Sequence, residues 1–286
     1  MAYCDLHTHS TYSDGTDTIP ELIAGAEKAG LAAIALCDHN TIAGLDEFLR
    51  VGAASPVETI PGTEFSTEYG EKELHILGLF IQPQHYGAVA ALLRTALEGK
   101  ERSNRALVEA LKGVGIVLDY DSLKARSKGV VNRALVAEEM MRLGYCESIR
   151  EAFDKYLHIS HGFYTPAKRP DAFETIRFIK SIGAVAVLAH PFLDLTQEQL
   201  RQFLPEAREA GLDGMEVYYG RYDEETTALA ASIAEEYGIL PSGGSDYHGR
   251  IKPDISIGIG RGNLAVPMEC LENLRKRKKD IFPEKN

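Results

Sequence analysis

Residues 2–40, AYCDLHTHSTYSDGTDTIPELIAGAEKAGLAAIALCDHN, contain a strand, a helix and a second strand in that order. The runs 2–6 and 31–37 are short and apolar, as buried strands are. Between them, PELIAGAEKAG opens on Pro20 and closes on Gly30, the usual punctuation of a helix. Such a unit implies parallel strands with the helix packed outside them. The rhythm continues through apolar runs at 59–65 and 74–80 and then stops. From about 100 to 161 the chain reads as consecutive helices: ERSNRALVEALKGVG, NRALVAEEMMRLGY and SIREAFDKYL. Strands resume at 184–189, 214–218 and 239–242, with helical stretches near 171–182, 196–210 and 223–237. Four strands precede the helical block and three follow it. The expected fold is therefore α/β, a barrel at 1–98 and 167–286 carrying a helical insertion at 99–166.

Composition narrows the function classes. The chain has 286 residues, 31 basic and 42 acidic, for a net charge of -11. This balance argues against electrostatic capture of long duplex nucleic acid, although a local basic pocket is compatible with it. No apolar run approaches the roughly 18 residues of a membrane span. The start, MAYCDLHTHS, lacks the basic-then-apolar pattern of a secretory signal. Cys4, Cys37, Cys146 and Cys270 are scattered without a CxxC pair, which fits reduced thiols in a cytoplasmic protein. The basic run at 274–285, LRKRKKDIFPEK, reads as a solvated helix end rather than a binding tail.

The chemistry is carried by histidines and carboxylates at strand ends. His7 and His9 follow the first strand two residues apart, so an extended chain points them the same way. Asp38 and His39 end the second strand, Glu64 ends the third and His75 opens the fourth. His190 ends the fifth, Glu216 lies in the sixth, and Asp246 and His248 follow the seventh in GGSDYH. In a parallel barrel the C-terminal strand ends converge on one rim. A lone histidine there is more often a hydrogen-bonded structural residue. Six of the nine, with carboxylates between them, point instead to a metal site. Mixed His/Asp/Glu donors without cysteine suit Zn²⁺, Mn²⁺ or Fe²⁺. His85 reads as a surface helix residue, and His158 and His161 fall in the insertion. No GxxxxGK[ST], HExxH or GxSxG is present, and IGIGRGN does not open a helix after a strand.

The segments DLHTHSTYSDGTDTIPELI, ALCDHNTIAGLDEF, PGTEFS, HILGLF, AVLAHP and GGSDYH, in this order over residues 5 to 248, resemble the PHP (polymerase and histidinol phosphatase) domain. The resemblance implies a distorted seven-stranded barrel with two to three divalent metal ions. Matched motif by motif, it implies one metal at His7, His9, Glu64 and Asp246. A second would share Glu64 with His75 and His190, and a third would take Asp14, His39 and His248. Asp14 stands where many members have His. Asp38 would be an orienting carboxylate or the acid that protonates the leaving group; its rival role is to cap a helix starting near Thr41. The insertion, with ERSNR, NRALVAEEM, AFDKYL and GFYTPAKRP, resembles the nucleoside 3′,5′-bisphosphate phosphatase and 5′–3′ oligoribonucleotide exonuclease subgroup. Leu135 occupies a position where that subgroup often has His.

Phosphate monoesters repel hydroxide and hydrolyse extremely slowly, so clustered cations suit them. The expected step is in-line attack on phosphorus by hydroxide generated at the metals. Arg102, Arg105, Asn132, Arg133, Tyr164 and Lys168, with Arg169 beside them, are the candidates to bind the substrate; Tyr164 or Phe163 could stack on a base. The expected partner is a small phosphorylated nucleotide or a short single-stranded RNA, with no membrane. The alternatives are a phosphatase for another small ester such as histidinol phosphate, and a metal-bearing module without turnover.

Overall fold

The computed structural model describes residues 2–127 and 131–281. Its elements run β1 (Tyr3–Thr8), α1 (Ile19–Lys28), β2 (Ala33–Leu36), α2 (Leu45–Gly52), β3 (Glu58–Tyr69) and β4 (Lys72–Leu79). Then come α3 (Tyr86–Lys112), α4 (Tyr120–Arg126), α5 (Arg133–Arg142), α6 (Ile149–Ala152) and α7 (Ala172–Ser181). The chain continues through β5 (Val185–Leu188), α8 (Pro191–Asp194), α9 (Gln197–Ala210), β6 (Gly214–Tyr219), α10 (Glu224–Tyr237), β7 (Leu240–Gly244), β8 (Val266–Pro267) and α11 (Met268–Ile281). Two compact units result: Met1–Ala90 with Pro170–Asn286, and Ala91–Arg169.

The strands of the first unit form one sheet in the order β7-β6-β5-β4-β3-β2-β1-β8. Period-two alternation places them. Ala33 and Ala35 of β2 join a core with Cys4, Leu6, Ile60, Leu77 and Val187, whereas Ile34 and Leu36 pack with Leu22, Ile23 and Phe48 of α1 and α2. The sheet nearly closes where β1 meets the end of β7. Asp246 N donates to His7 O at 2.9 Å, His9 N to Tyr247 O at 2.9 Å, and Thr8 bridges Tyr247 in parallel. Gly244 makes this approach possible, because a Cβ there would lie 2.4 Å from the His7 Cβ.

Two expectations are corrected here. The count of seven strands omits β8, a two-residue strand antiparallel to β1. More consequentially, β4 does not run parallel to its neighbours. It pairs antiparallel with both β3 and β5, and joins β3 by a hairpin at Gly70-Glu71, where Gly70 has φ +60°. A parallel crossover needs about a dozen residues, and too few separate these strands.

The second unit has its own core, with Leu107, Leu111, Leu123, Val136, Met140 and Leu157 buried together. Its helices are more broken than the continuous pattern suggests. The extra helix α4 is capped by Asp119, and α6 passes after one turn into a π-helical turn at Phe153–Leu157. At the chain's basic end, Arg275 pairs with Glu58 and Arg277 with Asp213, both within α11; residues 282–286 lie outside the described residues. No described helix is long and apolar enough to cross a membrane. The four cysteines are free and buried.

Candidate metal centre

Strand register assembles the site. Leu36 pairs with Pro61, so three residues further on His39 lies against Glu64 as an isolated bridge. On the other side β4 runs antiparallel, setting Ser66 opposite His75. The reversal explains why a residue near the start of a strand reaches the same rim as residues that end the others. Ala189 N donates to His75 O at 3.0 Å, which carries His190 to the same place. His7 and His9 arrive from β1, and Asp246 and His248 from the turn after β7.

Glu64 is fully buried at the centre. Its Oε2 lies 3.2 Å from His7 Nε2, 3.3 Å from His9 Nε2 and 3.0 Å from His39 Nδ1. Its Oε1 lies 2.8 Å from His75 Nδ1 and 3.1 Å from His190 Nε2. Asp246 Oδ1 is 3.3 Å from His9 Nε2, and Asp14 Oδ1 is 3.3 Å from His248 Nε2. Outer hydrogen bonds fix the tautomers. His7 Nδ1 donates to Glu216 Oε1 at 3.0 Å and His248 Nδ1 to the Asp246 carbonyl at 2.8 Å, so both Nε2 atoms are the ones left facing inward. His190 and Asp246 have φ of 27° and 56°, left-handed values that cost L-residues free energy and are held by the surroundings.

The electrostatics are those of too many donors packed together. Burial would raise the Glu64 carboxyl, yet His39, His7 and His75 hold it well below the carboxylate range. Burial pulls His9 down, but the nearby carboxylates of Asp246 and Glu64, each 3.3 Å from Nε2, leave it raised to about 9. His75 is likewise raised to about 10 by Glu64 and then Glu73 against the cost of burial, whereas burial wins at His39 and pushes it to about 3. Burial opposes charge on Asp246 too, and His9 and His7 still hold its carboxyl well down.

These residues fit divalent metals. His7 Nε2, both nitrogens of His9, His39 Nδ1 and Glu64 Oε2 are buried without a hydrogen-bond partner. Close approach without hydrogen-bonding angles is what atoms converging on a shared cation show. Three groups of donors lie within 4.8 Å of one another: His9, Asp14, His39 and His248; His7, His9 and Asp246; His39, Glu64 and His75. All nine candidate ligands therefore meet at one end of the barrel, but the groups differ from those the motifs imply. His9 and His39 each fall in two groups, and His190 falls in none, meeting Glu64 Oε1 at 3.1 Å and lying against the His7 and His75 rings.

Asp38 is placed differently from an acid at the reacting centre. Its carboxylate accepts from Ser10 N (2.8 Å), Ser10 Oγ (2.7 Å) and Ser13 Oγ (2.5 Å), fastening the loop that carries Asp14. Nor does it cap a helix at Thr41, since α2 begins at Leu45 after Gly44. The basic candidates lie in the second unit, several of them engaged there. Arg105 contacts Asp121 and Glu101 and lies over the Tyr120 ring. Arg133 stacks 4.4 Å from the Tyr164 ring centre and donates to Leu157 O, while Asn132 caps α5 by accepting from Leu135 N. Arg102 and Lys168 are exposed, and Phe163, Tyr164 and Leu135 pack against that unit's core.

Three contributors, Asp5, Tyr219 and Lys252, were not among the expected site residues, and a fourth, Glu216, was noted with the strand carboxylates but given no role. Glu216 orients His7 and accepts from His190 N at 2.6 Å; a lone carboxylate inside the apolar strand GMEVYY was its signal. Asp5, fully buried, accepts from the backbone of His7, Ser245 and Gly258, tying β1 to the Asp246 turn. Tyr219 Oη donates to Asp246 Oδ2 at 2.8 Å and Lys252 Nζ to the same oxygen at 2.7 Å. No local pattern marks the last two. Beside the cluster is a cavity of about 290 Å³ lined by residues including His39, His75, His190, Asp194 and Lys252. A larger hollow of about 450 Å³, around Arg105 and Tyr120, holds none of these donors and belongs to the helical unit.

Residues 5–165 match the PHP domain model. The chain is 33% identical over 245 residues to a 5′-3′ exoribonuclease of Haemophilus influenzae, covering 85% of this chain and 89% of that one. It is 30% identical over 251 residues to a 3′,5′-nucleoside bisphosphate phosphatase of Chromobacterium violaceum (87% and 88%). With a phosphoribosyl 1,2-cyclic phosphate 1,2-diphosphodiesterase of Eggerthella lenta it shares 31% over 254 residues (86% and 94%). A solved candidate metal-dependent phosphoesterase of Bifidobacterium adolescentis superposes with a TM-score of 0.76 at 27% identity, over 96% of both chains. The chain belongs to the PHP domain family, and it is a metal-dependent phosphoric ester hydrolase.

Proposed function

We propose that the chain hydrolyses phosphate monoesters of small nucleotides, nucleoside 3′,5′-bisphosphates first, with short 5′-phosphorylated RNA as a second substrate. The observation that carries this reading is the convergence of buried imidazoles and carboxylates beside a cavity of about 290 Å³. That volume sits near the lower end for ligand pockets and suits a phosphoryl group with its sugar rather than a polymer. The phosphatase and exoribonuclease relatives support the nucleotide class. The proposed ligands are His7, His9, Asp14, His39, Glu64, His75, His190, Asp246 and His248. When bound, two to three divalent cations (Mn²⁺, Zn²⁺ or Fe²⁺) neutralise the phosphate and lower the pKa of water toward about 7.

The chain's own groups do the positioning. Glu64 sits at the centre of the cluster, with five imidazole nitrogens 2.8–3.3 Å from its carboxylate. Glu216 holds the His7 ring with its proton turned outward and fixes the strained His190 backbone. Asp38 secures the loop of Asp14. The helical unit is proposed as a substrate cap, with Arg102, Arg133 and Lys168 available to a second phosphate. A cytoplasmic site of action suits such substrates and the free thiols.

The test is phosphate release by protein loaded separately with Mn²⁺, Zn²⁺ or Fe²⁺. Substrates are a nucleoside 3′,5′-bisphosphate, a nucleoside monophosphate, a phosphoribosyl 1,2-cyclic phosphate, histidinol phosphate and a 5′-phosphorylated oligoribonucleotide. The bisphosphate should give the highest kcat/KM. Preference for the cyclic phosphate or for histidinol phosphate would replace the nucleotide reading, and silence on every ester with each metal would refute turnover.

A further inference from the structure

Lys252 is the one lysine or arginine among the described residues that line the cavity beside the metal centre. It shares that wall with three carboxylates, Glu73, Asp194 and Asp246, which alone would repel a phosphate dianion. Its ammonium bonds Asp246 Oδ2 at 2.7 Å, and the side chain is 23% exposed. Asp246 does not depend on it for orientation. Tyr219 Oη holds the same oxygen at 2.8 Å from the buried side, while Oδ1 faces His9.

The base of Lys252 is fixed and its tip is free to move. Its backbone N donates to Gly249 O at 3.2 Å, and Arg250 N donates to Thr16 Oγ1 at 2.9 Å, pinning the turn to the loop after β1. Above that anchor is a flexible four-carbon stem ending in three donors, of which Asp246 takes one. A partly exposed ion pair contributes little to stability by itself. An ammonium so placed is better explained by a ligand.

We propose that Lys252 grips the phosphoryl group undergoing hydrolysis, donating to a non-bridging oxygen while Tyr219 keeps Asp246 in place. This rests on the phosphate-ester reading above and adds a residue that the family motifs did not single out. The test uses metal-loaded protein and the variants Lys252→Met, which keeps the stem, and Lys252→Arg, which keeps the charge. Inorganic phosphate is the probe, its binding measured by calorimetry, with metal content and melting temperature measured alongside.

Lys252→Met should melt like the parent, retain the parent's metals, and bind phosphate about 10- to 100-fold more weakly, the loss expected for a hydrogen bond to a charged group. Lys252→Arg should recover most of that affinity. Unchanged phosphate binding in Lys252→Met overturns the proposal. So does loss of metal in both variants, which would make Lys252 a support for Asp246. Because binding is read without turnover, an inactive parent would refute the substrate reading and leave this test intact.

Discussion

Replacing Asp38 separates two roles for a carboxylate that is only 1% exposed beside the metal centre. As a leaving-group acid it would act on substrate; as a loop anchor it acts through Asp14. Its three donors all come from Ser10 and Ser13, at 2.5–2.8 Å. Asp14 lies one residue beyond, with its side chain 54% exposed and its position set by the loop rather than by burial. Hydrogen bonds to an ionised acceptor contribute about 1.5–3 kcal/mol each but do not add, so Asp38→Ala should cost the loop about 3 kcal/mol. Felt at Asp14, that is roughly a hundredfold loss of metal affinity in the His9, Asp14, His39 and His248 group. The His7, His9 and Asp246 group should lose less, because His7 and Asp246 come from β1 and the β7 turn and only His9, next to Ser10, is shared with the anchored loop. Competition with a graded chelator, followed by elemental analysis, reads both affinities. Asp38→Asn should fall between, since it keeps one acceptor oxygen. Full metal affinity in Asp38→Ala, together with loss of the alkaline limb of the pH–rate profile, would refute the anchor and restore the acid.

Three further outcomes follow from the same geometry. Glu64→Gln removes the charge about which five imidazoles are arranged, and should leave fewer metals per chain with loss of turnover; a full complement at parental rate would show that Glu64 is not shared. At pH 7.5 the metal-free protein carries protons on His9 (about 9), on His75 (about 10) and on His7, which Glu64 and Glu216 hold well above 6.5 against the cost of burial, and none on His39 (about 3), so metal loading should release protons from all three, seen by calorimetry in buffers of different ionisation heat. The folded values of His9 and His75 are raised above the ordinary 6.5, so this stabilisation is complete below about 6.5 and is lost as pH climbs through 9 to 10; the metal-free melting temperature should fall over that interval. Gly244→Ala puts a methyl 2.4 Å from the His7 Cβ and should cost about 2–3 kcal/mol, read as a lower melting temperature with weakened metal binding.

Local signals in the sequence carried much of the outcome. Apolar runs with Pro and Gly punctuation located the α/β rhythm and the helical interruption, because strand burial and helix capping are set by neighbours in the chain. DLHTH, CDHN, HILG, LAHP and SDYH supplied the donors. What lay beyond reach was relative placement. The direction of β4 was written in Tyr69-Gly70-Glu71-Lys72, but only pairing on both sides makes it antiparallel and swings His75 to the rim. Asp38 had the chemistry of an acid, and only the fold shows that its carboxylate accepts from Ser10 and Ser13. Glu216, Tyr219 and Lys252 entered through side chains from distant strands and turns meeting Asp246, His7 and His190. A residue's type sets which protons and charges it can offer. Which atom receives them depends on distances between segments far apart in sequence, and those exist only once the barrel has closed.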